Sequence, residues 1–174
     1  MHREAASYSA DERLADGCRV EIRALRPDDR SAFLAAIGQT SAESLYSRFF
    51  GVRRAFTEQE MAFFLDVDFV THVALVAVVE EGGRRVIAGG GRYMLVQPGK
   101  AEMAFAVVDK YQNKGIGTAL LRHLVAVARK AALQQLIAEV LPENLPMLKL
   151  IEKTGLRITK KRDAGALHVT LDLA

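Results

Sequence analysis

The sequence predicts an α/β domain: one mixed, mostly antiparallel sheet with helices on both faces. Three observations carry that prediction. Before about residue 70, after one short strand, apolar residues recur at helical spacing. From 73 to 108 they alternate or run together between turn residues, and beyond 115 helical and strand patterns alternate. Antiparallel strands followed by strand–helix alternation bury their apolar faces most simply in a single shared sheet.

Val20 to Leu25 sets Val20, Ile22 and Ala24 against Glu21 and Arg23, the period of a half-buried strand. It stops at Arg26-Pro27. Pro27 is suited to open a helix, Asp28 and Asp29 favour its first turn, and Phe33, Leu34 and Ile37 follow at helical spacing. Ser41 can cap a second helix through Leu45, Phe49 and Phe50, and Thr57 with Glu60 forms the capping box of a third. Val73–Val79 and Val86–Val96 flank the turn Glu81-Gly82-Gly83-Arg84, and Gln97-Pro98-Gly99 leads into Ala101–Val108. Gly115 to Ala132 reads as a long amphipathic helix with Ile116, Leu120, Leu124 and Val127 on one stripe. A strand at 136–141, a helix at 144–154 stopped by Gly155, and two strands around Ala164-Gly165 complete the chain.

With 174 residues, half of them hydrophobic, the chain is long enough for one core without disulfides or a structural metal. Its single cysteine, Cys18, can form neither an internal disulfide nor a cysteine zinc site, which suits a reducing, cytoplasmic setting. His72, His123 and His168 are too far apart for zinc-ligand spacing, so no metal is expected. Met1 to Asp16 lacks the apolar run of a signal peptide, and Val73–Val79 is too short to span a bilayer. We expect residues 1–17 to be a flexible leader and 18–174 one domain, with no membrane partner. The net charge of +3 is spread among 24 basic and 21 acidic residues, which gives no case for a nucleic-acid partner.

The segment with chemical content is Gln112-Asn113-Lys114-Gly115-Ile116-Gly117-Thr118, between a strand and the long helix. Glycines at a helix mouth let unpaired N–H groups approach an anion, and the helix dipole favours negative charge there. A phosphate or pyrophosphate fits, although the P-loop and dinucleotide spacings are both absent. The same pattern also suits a plain strand-to-helix loop with no ligand.

Phe105-Ala106-Val107 followed by Gln112 to Gly117 resembles motif A of the GNAT acetyltransferases. The resemblance implies the GNAT fold, with acetyl-CoA as acyl donor. It further implies that residues 113–118 hold the pyrophosphate, with Gln112 opening the motif, and that residues 105–107 hold the pantetheine and thioester end; Lys114 either adds phosphate affinity or is a solvated lysine. Glu139-Val140 to Asn144, then Met147 to Leu156, is similar to motif B, in which Asn144 would contact the donor. The segments 22–29, 41–50 and 101–105 are similar to the acetyltransferase domain of bacterial protein lysine acetyltransferases, which implies a protein lysine as acceptor.

Glu102 is the candidate general base. It lies in the apolar strand 101–108 and shares a face with Ala104 and Ala106. An acceptor amine with pKa near about 10.4 is protonated at neutral pH, so a group must take its proton before the lone pair attacks a thioester. The glutamate at the matching position has that role in the related enzymes; otherwise Glu102 is a surface glutamate on the solvent side. The family's motif B tyrosine is replaced by Ile151, which cannot protonate a departing thiolate. Tyr111 is the nearest tyrosine in sequence and is expected to serve packing.

Two other functions stay open at this point: acetylation of a small amine, and a non-catalytic module that senses acetyl-CoA. A homodimer is compatible with an exposed edge near the C-terminus, although nothing in the pattern requires one.

Overall fold

The computed structural model describes residues 2–38 and 57–174. A short helix α1 (His2–Ala6) leads into β1 (Ser9–Arg13), which pairs antiparallel with β2 (Arg19–Ala24) from Ser9↔Arg23 to Arg13↔Arg19. The expected flexible leader is therefore corrected: residues 9–13 are an edge strand. Ser-Ala-Asp-Glu-Arg has no apolar period to read, and its place is fixed by backbone pairing and by cross-links to a later helix. The Tyr8 hydroxyl meets His123 Nδ1, while Glu12 Oε1 bonds Arg122 and lies 2.6 Å from His123 Nε2.

After a 3-10 turn at Pro27–Asp29 comes α2 (Arg30–Gly38), where the sequence predicts it. The helix expected over Ser41–Phe50 lies outside the described residues. Helix α3 (Glu58–Leu65) begins one residue after Thr57. Strands β3 (His72–Glu81), β4 (Arg84–Gln97) and β5 (Lys100–Val107) form the expected antiparallel meander. Helix α4 (Ile116–Lys130), β6 (Gln135–Val140), α5 (Leu145–Glu152), β7 (Arg157–Asp163) and β8 (Ala166–Asp172) follow. The strands make one sheet in the order β1-β2-β3-β4-β5-β6-β8-β7, parallel only between β5 and β6.

The sheet separates two cores. Leu75, Tyr93 and Leu136 pack with Leu120 and Leu124 of α4 and Ile151 of α5 on one face; Ala74, Val76, Val78 and Ile87 lie with Phe33, Ala36 and Leu65 of α2 and α3 on the other. Burying each such large side chain contributes about 1.5–3 kcal/mol, so the apolar stripe of α4 fixes that helix on the sheet. No helix among the described residues is long and apolar enough to cross a membrane.

Candidate active site

The parallel pairing of β5 with β6 covers Lys100↔Gln135 to Glu102↔Ile137 and then stops. Beyond Glu102 the two strands diverge, leaving a slot of about 830 Å³. Residues 102–107 form one wall, 138–141 another, the loop and first turn at 112–118 close one end, and α5 covers the rest. Val108 N–H bonds Ala88 O on β4, so by the alternation of a strand the N–H groups of Phe105 and Val107 face the gap. Gln112 Nε2 donates to Val107 O at 3.1 Å, capping one carbonyl left free there.

The end of the slot is the start of α4. Gly115 is its N-cap with φ 94°, a left-handed conformation that glycine adopts without Cβ strain. The first intrahelical bond is Ala119 N to Gly115 O, so the N–H groups of Ile116, Gly117 and Thr118 have no partner within the helix. These three residues thus present donors, and with them the positive end of the helix dipole, to the slot. Gly117 serves close packing: a Cβ there would lie 2.6 Å from Leu150 Cδ1, so α5 rests directly on the first turn of α4. Replacing Gly115 with Ala is expected to cost about 1 kcal/mol of stability and to weaken donor binding severalfold, read by thermal unfolding and calorimetry.

Glu102, Phe105, Ala106, Val107, Gln112, Asn113, Gly115, Ile116, Gly117, Thr118 and Asn144 all line this slot. Lys114 does not. Its ammonium lies 5.9 Å from the centroid of the Tyr111 ring. Asn144 caps α5, its Oδ1 accepting from Met147 N at 3.3 Å. Glu102 stands on the face away from α4 and is exposed, whereas the sequence had suggested an apolar enclosure. Only alternate residues of β5 face the α4 core, and Glu102 belongs to the other set.

Ile151 is completely buried in the core beneath α4, so this position contributes nothing to the slot. Tyr111 is tied down as well: its hydroxyl donates to Glu81 Oε2, and Lys110 Nζ reaches Glu81 Oε1 at 2.5 Å. Burial pushes the Tyr111 phenol up to about 12, and Glu81 adds to the shift. Tyr111→Phe is accordingly expected to leave the pH dependence of turnover unchanged, measured as the rate profile of thiol release. Sequence reasoning missed Glu139, Lys149 and Lys153, which also line the slot. Glu139 pairs across strands with His168, Oε1 to Nδ1 2.5 Å. Among the described residues no group of His, Cys, Asp and Glu could hold a metal ion.

A helix mouth with N–H donors free of intrahelical partners, opening into a gap between diverging strands, suits an enzyme that holds an extended phosphorylated acyl donor, and the fold is that of an acyltransferase. Residues 40–156 match the acetyltransferase (GNAT) family, and the chain belongs to that family, whose acyl donor is acetyl-CoA. Acetyltransferase Pat of Mycolicibacterium smegmatis is 31% identical over 156 residues, covering 87% of this chain and 45% of that protein. The chain therefore spans less than half the length of that relative. Acetyltransferase PA5475 of Pseudomonas aeruginosa is 33% identical over 126 residues, 72% of this chain and 68% of the relative. The crystal structure of the GNAT domain of S. lividans PAT superimposes with a TM-score of 0.85 at 33% identity, covering 94% of this chain and 96% of that one.

Proposed function

We propose that the chain is an acetyl-CoA-dependent N-acetyltransferase that acetylates the side-chain amine of a protein lysine, with Glu102 as general base. The observation that carries this reading is the place of Glu102, exposed at the last paired register of β5 and β6, where the slot opens. A carboxylate there can take the amine proton at the point where an acceptor would meet the thioester. The similarity to relatives named Pat supports the acceptor class.

The amine nitrogen attacks the thioester carbon, the C–N bond forms, and the C–S bond breaks. The amine proton goes to Glu102. The developing oxyanion is met by the N–H of Val107, which faces the gap. CoA leaves as a thiolate; a thiol pKa of about 8.5 makes that tolerable without a dedicated acid, consistent with a buried Ile151 and a Tyr111 phenol committed to Glu81. The single free cysteine and the demand for acetyl-CoA support a cytoplasmic setting for the reaction.

The test is release of CoA thiol from acetyl-CoA with two acceptor pools, folded cytosolic proteins and small amines, followed by mass spectrometry of the proteins. Turnover and lysine acetylation confined to the protein pool is the expected result. Turnover with small amines alone would replace the acceptor assignment, and tight acetyl-CoA binding without turnover in either pool would count for a sensor.

A further inference from the structure

Lys149 and Lys153 have no part in the transfer described above. They lie one turn apart at the C-terminal end of α5, so they share a helix face, and both line the slot. They are the only cationic side chains that do so among the described residues, since Lys114 faces Tyr111. Neither forms an ion pair with a described residue. Glu152, the acid between them in sequence, is turned away to Lys160 at 2.6 Å. Leu150, also between them, is the residue that packs on Gly117 in the first turn of α4. Two unpaired cations thus flank the wall next to the helix mouth that accepts the pyrophosphate.

Helix C-termini favour cations wherever they point, which accounts for basic residues in this turn. It does not account for both of them lining the slot. Acetyl-CoA carries, besides its pyrophosphate, a phosphate monoester on the ribose 3′ oxygen. The helix mouth supplies donors for the first anion, and a second anionic group needs donors of its own. We propose that Lys149 and Lys153 form the subsite for that 3′-phosphate. The enzyme thereby selects 3′-phosphorylated CoA thioesters over donors that carry only the pantetheine and pyrophosphate. The proposal rests on the reading of the slot as the acetyl-CoA site.

Exposed lysine–phosphate contacts are individually modest and screened by salt, so the pair is expected to give about a ten- to hundredfold preference at low ionic strength. Calorimetric titration of the full chain with acetyl-CoA and with acetyl-dephospho-CoA tests it. The wild type should prefer acetyl-CoA, with a preference that shrinks as salt is added. The Lys149→Ala/Lys153→Ala double variant should lose the preference by weakening acetyl-CoA alone, and Lys149→Glu/Lys153→Glu should reverse it; unchanged thermal unfolding shows that the variants are folded. Equal wild-type affinity for the two donors, or an equal loss for both in the alanine variant, overturns the subsite while leaving the donor slot standing. A wild type that binds neither donor overturns the slot reading itself.

Discussion

Glu102→Gln is expected to lower kcat/KM for the acceptor amine by about 10²–10⁴-fold, with acetyl-CoA affinity changed by less than about twofold. Glutamine keeps the shape and polarity of the side chain, and at this exposed position on β5 it costs the fold little. What it removes is the ability to accept a proton. Because most of the amine is protonated at neutral pH, the residual rate should come from the small free-amine fraction and should climb with pH through the amine's own titration. On the proposed mechanism, the wild type should show a shallower dependence over the same range. Thiol release measured against pH for both proteins, beside calorimetry of acetyl-CoA, separates the outcomes. An unchanged rate would remove Glu102 from the mechanism, and a parallel loss of donor affinity would make it a binding residue instead.

Asp29→Ala is expected to destabilise the protein by about 3 kcal/mol, the range found when one member of a buried ion pair is removed. Arg23 and Asp29 are 8% and 7% exposed and bond in a fork, Nη1 to Oδ2 at 2.8 Å and Nη2 to Oδ1 at 2.9 Å. Asp29 Oδ2 also accepts from Arg26 N at 2.7 Å, which fixes the turn that swings the chain from β2 into α2. Without the carboxylate, the buried Arg23 guanidinium keeps the Ala24 carbonyl at 3.0 Å and Glu21 at 3.5 Å but loses its forked partner. Burial alone would raise the Asp29 pKa, but the bonds from Arg23 and Arg26 outweigh it and hold the carboxyl below its usual 3.8. A carboxyl with a depressed folded pKa stabilises fully above its unfolded value, and that contribution is lost as the pH falls through the folded one. The stability gap between wild type and Asp29→Ala, measured by urea unfolding, should thus be full at neutral pH and narrow below about pH 4. A gap that stays constant down to pH 2 would mean that the ion pair is not its source.

What the sequence made legible follows from how local each cause is. Gly115 at a helix mouth and Asn144 at a helix start were legible because a helix end is set by one or two residues of its own segment; that they act as N-caps came from the structure. Glu102 stood out as the one acid in a strand of apolar neighbours. Strand β1 was hidden for the converse reason: Ser9–Arg13 is polar throughout, and its place depends on β2 and on His123 and Arg122, more than a hundred residues later. Lys149, Lys153 and Glu139 look like ordinary surface charges in sequence. They become slot residues only because Gly117 lets α5 settle against α4 and because β6 turns away from β5. Lys114, counted with its loop, does not line the slot.

The divergence of β5 from β6 has a cost that ordinary sheets avoid, since it leaves an interior edge whose N–H and C=O groups lack a neighbouring strand. Most proteins blunt such edges at the surface with charge or proline. Here the edge is instead covered by α5 and closed at one end by α4. A slender chain with amide groups of its own can enter and complete the ladder as a guest strand. On the proposed reading that chain is the pantetheine arm of the donor, and the feature that would otherwise invite self-association becomes part of the donor site.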